Sequence, residues 1–502
     1  MSESTGRNKN KYISKSLAEN IALFKSIFGG DDTFVVREFE NKWLKAARCC
    51  IFYMDGMANN ELVNENIIKP VLSIDLRDKL DDSDLLDDLR RKVIIANSVV
   101  NENDLEKVIA AMVYGDTVFL LDGYDYALII NSKGWQTRTI SEPESAKVVR
   151  GPREGFTESI LMNISMLRRR IKDSSLKLKL REIGVRTHTN TCICYIEGLA
   201  LEEIVQELES RLDRIDIDGI LDSGYIQELI RDAPLSPFET VGHTERPDVV
   251  AAKLLEGRVA LLVDGSPFAL TVPYVIVENT QVNEDYYNNF IFSSFNRLIR
   301  SAATVASVSI PAIYLAIVSF HQEILPTPLL ISIAASRKGV PFPTSISMFF
   351  MLLIFDILRE AGVRMPAVIG QAINIVGTLV LGQAAVEAKL VSAPVIIITA
   401  LSGILTLLNA NMIGATIVIR FFLLFAASVL GLYGFFFGLI LVVIHLLSIR
   451  SFGVPYFLNL TTVRNHNGQD IWIRAPWWSM TLRPKIIAAR NLVRQTQKKG
   501  KR

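Results

Sequence analysis

Four long uncharged stretches follow residue 300, and each is long enough to predict a helix that crosses a membrane. They cover residues 301–320, 365–386, 390–419 and 421–449. About twenty apolar residues span the hydrocarbon core of a bilayer as an α-helix. The last two stretches exceed this length, so each requires tilt, a break or an extension into the headgroup region.

A different pattern separates the first two stretches, at residues 324–358. Its first part contains a run of twelve uncharged residues, 324–335, shortly before the charged pair Arg337-Lys338, and its second part ends among charged residues. Twelve residues are too few to cross a bilayer, so we expect a short or re-entrant hairpin here. Four crossings outside this hairpin return the chain to the side on which it starts.

The first 300 residues mix helical and strand patterns and contain a repeat at an offset of 142 residues. Cys50–Ala58 aligns with Cys192–Ala200, and each is an apolar run closed by an acidic residue and glycine. Gly115–Leu128 aligns with Gly257–Leu270, and each carries Asp-Gly between two apolar runs, which predicts a β-hairpin. Two matches at one offset favour duplication over chance convergence of strand and turn patterns.

These patterns predict an α/β cytosolic domain made of two duplicated subdomains, followed by an α-helical multi-pass membrane domain. The predicted divisions are a flexible N-terminal segment at 1–34, a first subdomain at 35–148, a linker at 149–174, a second subdomain at 175–295, a transmembrane domain at 296–450 and a basic cytosolic tail at 451–502.

Charge follows the same division. Residues 1–300 have a net charge of −10, residues 301–449 of +2 and residues 450–502 of +10, which together give the total of +2. An excess of Lys and Arg beside a membrane domain favours the cytosolic side for the tail. No signal-peptide pattern precedes Asp31, and the four cysteines match neither a zinc site nor a disulfide framework, so we expect a reducing, cytosolic setting for the first 300 residues.

Motifs that carry chemistry are not found in the sequence. It has no phosphate-binding glycine loop, no nucleophile elbow and no zinc-binding helix motif, and its five histidines lack ligand spacing. We therefore predict no catalysis, no metal site and no cofactor. The basic tail follows a membrane segment, which favours contact with lipid headgroups over nucleic acid.

A polar stripe in the second apolar stretch is the strongest candidate for a functional site. Gln371, Asn374, Thr378 and Gly382 are spaced by three, four and four residues, so they share one face of a helix. From the residues alone, a tight interface between helices and the lining of a pore are equally supported. If the stripe lines a pore, negative charges at the mouths of that pore would favour cations. The candidates for these charges are Asp356, Glu360 and Glu387.

The segment between the two copies contains several charged residues around a Gly-Pro pair. Its main interpretation is a linker, because Gly-Pro interrupts regular structure. The alternative is an interface clamp, with Arg153 and Glu154 pairing across subunits. The candidate interface residues are Arg150, Arg153, Glu154 and Phe156.

Five segments carry motifs that together resemble a known family. They are Val149–Glu158, Leu325–Pro343, Ile357–Arg364, Gly382–Glu387 and Arg450–Tyr456. These segments resemble the A subunits of bacterial spore germinant receptors of the GerA type, and the resemblance extends over about residues 35–485.

This resemblance implies a multi-pass protein of the spore inner membrane in an endospore-forming bacterium. It implies a ring of subunits, a pentamer, that conducts cations when nutrient binds, together with a transporter-like B subunit and a lipoprotein C subunit. In that setting the pore becomes the favoured interpretation of the stripe. The alternative is a non-conducting scaffold or signal-transmitting subunit of the same receptor, and a related branch, encoded with proteins of the dipicolinate-release channel, has the same architecture.

Overall fold

The computed structural model describes residues 12–42, 48–75, 85–134, 148–365, 382–457, 470–483 and 491–494 of the chain. The chain divides into two compact units. The sheet unit comprises residues 1–231, 241–273 and 481–502, and the helical unit comprises residues 232–240 and 274–480.

Both halves of the sheet unit combine strands with short helices. In the first half the described strands are β1 Phe34–Glu40, β2 Arg48–Met54, β3 Val99–Glu102, β4 Thr117–Leu121 and β5 Ala127–Ile130. Its described helices are α1 Leu17–Ile27, α2 Asn60–Leu62, α3 Lys69–Ser73, α4 Leu85–Lys92 and α5 Leu105–Val113, and a π-helical segment, Val63–Ile68, joins α2 to α3.

The second half repeats this composition. Its described strands are β6 Leu176–Ile183, β7 Thr189–Ile196, β8 Gly242–Thr244, β9 Val259–Val263 and β10 Ala269–Val272. Its described helices are α6 Ile160–Arg170, α7 Glu202–Asp213, α8 Ser223–Ile230 and α9 Pro247–Leu255.

The two sheets have the same strand order. The first runs β1-β2-β4-β5-β3 and the second runs β6-β7-β9-β10-β8. Both Asp-Gly hairpins predicted from the sequence are present, and Gly123 and Gly265 have positive φ values of 91° and 82° in their turns. Every described strand pair in these two sheets is antiparallel.

Hydrophobic layers cover both faces of the first sheet. Successive side chains of a strand point to opposite faces, so Ile51 and Phe52 of β2 enter different clusters. Ile51 belongs to the cluster that contains the π-helical segment and α4, on one face of the sheet. Phe52 belongs to the cluster that contains α1 and α5, on the other face. A two-sided core of this kind explains why β2 and β4 read as continuous apolar runs.

The duplication extends to the first helix of each half, which the sequence patterns did not reveal. The backbone N–H of Leu17 at the start of α1 donates to Asp122 Oδ1 at 3.0 Å. The backbone N–H of Ile160 at the start of α6 donates to Asp264 Oδ1, also at 3.0 Å. In each half the acceptor is the aspartate of the Asp-Gly turn, so the turn and the helix are fixed together.

The predicted domain boundaries therefore differ from the structure at two places. Residues 17–27, placed in a flexible segment, form α1, and Phe24 at its centre is fully buried. Residues 160–170, placed in a linker, form α6, whose Ile164 is fully buried in the core of the second half. Both segments are the first core helices of their copies.

Buried polar contacts join the two halves of the sheet unit. Asp31 forms an ion pair with Arg168, and both side chains are almost completely buried. The backbone N–H of Asp32 donates to the carbonyl oxygen of Leu178 at 2.9 Å, and Lys177 Nζ donates to the carbonyl oxygen of Ile27 at 2.8 Å. A buried charge requires such a partner, so these contacts hold the two halves in a defined arrangement.

The helical unit contains helices of very different lengths. Those described are α10 Phe290–Phe320, α11 Thr327–Arg337, α12 Thr344–Arg364, α13 Gly382–Glu387, α14 Ala393–Leu407 and α15 Ile413–Ser448. Two helical segments in the described part of the chain, Phe290–Phe320 and Ala410–Ser448, are long and apolar enough to cross a membrane.

Helix α15 folds back on itself at Gly431, which has φ 62° and ψ −140°. A Cβ atom on Gly434 would lie 2.0 Å from the carbonyl oxygen of Ala426, and one on Gly438 would lie 2.9 Å from Leu423 Cδ2. In a straight helix these residues are too far apart to touch. The segments 413–430 and 432–448 are therefore two antiparallel helices that pack through small residues.

This arrangement corrects the predicted boundaries of the last two apolar stretches. The stretch 390–419 is interrupted after Leu407 and continues as α15 from Ile413. The boundary placed at Arg420 is wrong, because Arg420 lies inside a helix and is fully buried. The stretch 421–449 is likewise divided by the reversal at Gly431, which leaves two shorter helices in place of one long one.

The other predicted segments also differ in extent. The stretch 301–320 is the second part of α10, which already begins at Phe290. In the predicted hairpin 324–358, α12 continues to Arg364 and has 21 residues, so it is longer than a re-entrant turn. Most of the stretch 365–386 lies outside the described residues.

Candidate functional site

The predicted polar stripe is described at one of its four positions. Gln371, Asn374 and Thr378 lie outside the described residues. Gly382 is buried at the start of α13, where an added Cβ would lie 3.8 Å from Ile396 Cγ2 of α14. The stripe thus ends beside another helix, and its lining role stays a prediction.

Asp356, one of the predicted pore-mouth charges, forms a buried ion pair with Arg420. Asp356 Oδ2 lies 2.5 Å from Arg420 Nη2, and the Arg420 side chain has no exposed surface. Arg359 Nη1 lies 3.6 Å from the other carboxylate oxygen of Asp356. The carboxylate of Asp356 therefore faces two guanidinium groups, and its role as a pore-mouth charge stays a prediction.

Polar side chains of neighbouring helices extend this ion pair. Arg420 Nη1 donates to Ser402 Oγ at 3.3 Å, and Ser402 Oγ donates to the carbonyl oxygen of Ser307 at 2.7 Å. These contacts connect α12, α15, α14 and α10. We call Ser307, Asp356, Ser402 and Arg420 the inner polar cluster.

A second contact lies between α10 and the break that follows α14. Asn409 Nδ2 donates to Thr304 Oγ1 at 3.2 Å. Because Ser402 contacts Ser307 while Asn409 contacts Thr304, α14 runs antiparallel to α10. Asn409 thus links the break after α14 to α10.

The remaining pore-mouth candidates lie at the surface. Glu360 is exposed and pairs with Arg364 at 2.7 Å, one helical turn away. Glu387 is exposed at the end of α13. Both carboxylates lie at the surface, and their role at a pore mouth stays a prediction.

The interface candidates between the two halves make contacts within one chain. Glu154 pairs with Arg170 at 2.6 Å and with Arg169 at 3.4 Å. Phe156 is buried in the core of the second half. Glu154 and Phe156 therefore contact α6 and fix its position. Arg150 and Arg153 are exposed.

A second buried charge cluster lies at the start of α10. Arg297 is fully buried, with Nη1 at 2.8 Å from Asp470 Oδ1 and Nε at 3.3 Å from Asp285 Oδ2. Tyr286 Oη donates to Asp470 Oδ2 at 2.6 Å, and Arg300 also pairs with Asp285. We call Asp285, Arg297, Arg300 and Asp470 the tail cluster, because it fixes the segment after residue 470 to the start of α10.

The sequence carried a signal for each cluster. Arg420 is the one charged residue between Leu390 and Ile449, and Asp470 is the one acidic residue among eleven basic ones after residue 449. A single charged residue in an apolar run requires a partner of opposite charge. A single acidic residue in a basic segment likewise indicates a specific ion pair. The identity of each partner depends on the fold.

Thiol and metal chemistry have little support in the described residues. Burial raises the pKa of the Cys49 thiol to about 12, and burial together with nearby Glu38 raises that of Cys50 to about 12. A hydrogen bond with Cys194, followed by burial, raises the pKa of Cys192. Reactive cysteines have lowered pKa values. No group of three or more potential metal ligands occurs in the part of the chain that the structure describes.

Comparison with known proteins identifies the family. A family model for the Bacillus/Clostridium GerA spore germination protein matches residues 22–486. Spore germination protein KA of Bacillus subtilis is 40% identical over 486 residues, which cover 96% of this chain and 89% of that protein. Spore germination protein GerLA of Bacillus cereus is 35% identical over 447 residues, which cover 88% of this chain and 90% of that protein.

One solved structure is also similar. The N-terminal domain of the A subunit of the Bacillus megaterium spore germinant receptor GerK3 is 31% identical, and the match covers 54% of this chain and 99% of that domain, with a TM-score of 0.42. The family model and the relatives, which cover nearly the whole chain, confirm the family suggested by the five sequence motifs. The chain belongs to the GerA family of Bacillus and Clostridium spore germination proteins.

Proposed function

We propose that this chain is a membrane subunit of a spore germinant receptor and that five copies form a ring that conducts cations when nutrient is sensed. The family supports the role in germination. The apolar helical segments Phe290–Phe320 and Ala410–Ser448, the second of which reverses at Gly431, support a location in a membrane, for which we propose the spore inner membrane.

The inner polar cluster is the observation that carries the channel proposal. Arg420 lies in a helix that is otherwise apolar, and it is fully buried with Asp356 and Ser402. Charges inside membrane helices are costly, and they are characteristic of proteins that move ions or protons. The cluster joins four helices, and we propose that it keeps the membrane part of the subunit rigid.

We propose the stripe itself as the pore lining. Gln371, Asn374, Thr378 and Gly382 share one helix face in the sequence, and side-chain amides and hydroxyls can replace the water around a cation. Glu360 and Glu387 then attract cations near the two ends. Because Asp356 pairs with two arginines, we do not propose it for this role.

The receptor would contain further subunits. We propose that a transporter-like B subunit binds the nutrient and that a lipoprotein C subunit completes the complex. The sheet unit, with its two fixed halves, would form the cytosolic part of each ring member. Its buried Asp31–Arg168 pair supports a role as a rigid body that transmits subunit movements.

Two measurements test this proposal. Native mass spectrometry of the detergent-purified protein should give five copies, and a monomer or dimer that persists in lipid nanodiscs would contradict the ring. Thr378→Gly should widen the pore, so spores that carry it should lose K⁺ without nutrient. Tight, normally regulated Thr378→Gly spores would contradict the pore assignment.

A non-conducting scaffold is the alternative function. It is favoured by the fact that Asn409, Ser402 and Arg420 all use their polar groups to join helices. In that case the stripe would also be packed between helices, and water would not reach it. Chemical accessibility of the stripe separates the two functions.

A further inference from the structure

A groove of about 470 Å³ lies on the first half of the sheet unit, between edge strand β1 and the helical segment that contains the π-helix. Its walls include Arg37 of β1, Asn64 and Ile68 of the π-helical segment, and Lys69 and Leu72 of α3. The volume is in the range of small-molecule sites, which are about 300–1,000 Å³. The groove combines an apolar floor with cationic side chains.

Arg37 is the cation at the centre of the argument. Its Nη1 donates to the neutral side-chain oxygen of Asn64 at 3.2 Å, and the side chain is exposed. Within the described ranges it forms no ion pair with a carboxylate. A guanidinium group has five N–H donors in a planar fork that suits a carboxylate or phosphate, so Arg37 retains donors for a ligand.

The second half of the sheet unit provides an internal comparison. At the repeat offset of 142, Arg37 of β1 corresponds to Lys179 of β6. Lys179 Nζ lies 2.8 Å from Glu209 Oε1 of α7, so its charge is neutralised within the chain. The position that corresponds to Glu209 in the first half is Ile67, a fully buried apolar residue.

A second pair of positions confirms that the two helices correspond. Glu65 and Lys69 form an ion pair at 2.5 Å in the first half, and Glu207 and Arg211 form one at 2.8 Å in the second. Both pairs differ by 142 residues. The duplicated scaffold therefore keeps this surface pair, whereas the carboxylate that neutralises the β-strand cation, Glu209, is replaced by Ile67 at the equivalent position of the first half.

The helix beside the groove also differs between the halves. Val63–Ile68 is π-helical, whereas α7 is an uninterrupted α-helix. A π-helical segment widens one turn of a helix, and such segments occur frequently at functional sites. Ile68, the last residue of this segment, lines the groove together with Leu72.

We propose that this groove binds a small organic anion, a carboxylate or phosphate with an apolar body. The anionic group would be held by Arg37, with Asn64 beside it, and the apolar body would lie on Ile68 and Leu72. The second half, whose equivalent cation is neutralised by Glu209, would not bind such a ligand.

Ligand-observed NMR on the full chain in detergent tests this proposal, with phenyl phosphate, benzoate and inorganic phosphate as probes and neutral benzamide as the control. Phenyl phosphate or benzoate should bind saturably, and benzamide should not. Binding of both phosphates without benzoate would assign the natural ligand to phosphates, and binding of benzoate alone would assign it to carboxylates. Either result supports an anion site.

Three variants locate the site. Arg37→Gln removes the cation, and Asn64→Asp places a carboxylate beside it, as Glu209 does for Lys179. Each should weaken binding by at least about tenfold, since hydrogen bonds to charged groups are stronger than those between neutral groups. Lys179→Gln should leave binding unchanged. Thermal unfolding of each variant would verify that its fold is retained.

Three results would overturn the proposal. The first is the lack of saturable binding of either aromatic anion to the unmodified chain. The second is binding of benzamide as tight as that of benzoate, because the charge would then be irrelevant. The third is equal binding by Arg37→Gln, Asn64→Asp and the unmodified chain, which would place the bound anion elsewhere.

Discussion

Arg420 and Asp356 form an ion pair of 2.5 Å that joins α15 to α12 inside the helical unit. The Arg420 side chain has no exposed surface and the Asp356 side chain is 12% exposed. The attraction between two charges is strong where little water screens them. Transferring either charge out of water, however, has a large unfavourable desolvation free energy. Each residue therefore depends on the other for its place among apolar helices.

Removing one partner of this pair should destabilise the helical unit. Asp356→Asn or Arg420→Gln should each lower the free energy of unfolding by about 3–5 kcal/mol, because an uncompensated buried charge remains. Joint replacement, Asp356→Leu with Arg420→Met, should recover most of the loss. Thermal unfolding of the protein in detergent measures the effect.

The exposed pair Glu360–Arg364 is the matched control. It lies on the same helix as Asp356, at 2.7 Å, but both side chains are more than half exposed. Arg364→Gln should change the stability by less than about 1 kcal/mol. Equal losses from Arg364→Gln and Arg420→Gln would show that burial is not the cause.

Gly431 should tolerate no side chain. Its φ of 62° and ψ of −140° are accessible to glycine and costly for other residues, and an added Cβ would lie 2.9 Å from Phe320 Cβ. Gly431→Ala should destabilise the protein by at least about 2 kcal/mol. Gly414→Ala, on the same helix with no atom within 4 Å of the new Cβ, should be neutral or stabilising. Similar losses for both variants would contradict the fold-back at Gly431.

The buried cysteines predict how stability depends on alkaline pH. Burial raises the pKa of Cys49 to about 12 from an ordinary value of 9.0. Between these two values the unfolded chain loses the thiol proton and the folded chain keeps it. The unfolded state then binds fewer protons, so stability falls as pH rises, by about 1.4 kcal/mol per pH unit for each such thiol.

Replacement of this thiol isolates its contribution. Cys49→Ala should be less stable at pH 7 because it leaves a small cavity, but its stability should fall less steeply above pH 9. Unfolding measured at pH 7 and at several values above 9 gives the two slopes. Parallel slopes for Cys49→Ala and the unmodified chain would show that Cys49 titrates normally.

Strand and turn motifs revealed the duplication because their pattern is local. An apolar run and an Asp-Gly turn specify a hairpin with few alternatives, and both copies kept them. The first helices were missed because α1 and α6 share few residues. What they share is the hydrogen bond from Leu17 or Ile160 to an aspartate about a hundred residues later, which depends on the fold.

Apolar length located the helical unit but could not divide it into helices. From composition alone, residues 390–449 are predicted to form two long stretches separated by Arg420. The structure instead breaks the chain near Asn409 and reverses it at Gly431, while Arg420 lies within a helix. A charged residue marks the end of a span only if no buried partner is available. The partner of Arg420 is Asp356, which is 64 residues away in the sequence, so the sequence did not reveal it.

Accessibility of the polar stripe tests the channel proposal most directly. In a chain with Thr378→Cys, a membrane-impermeant hydrophilic thiol reagent should label residue 378, because the proposed pore contains water. The native cysteines are buried, so background labelling should be low. Val376→Cys, on the opposite face of the same predicted helix, should remain unlabelled. Labelling at 378 and not at 376 is the expected result, whereas two unreactive positions, or equal labelling of both, would contradict the pore.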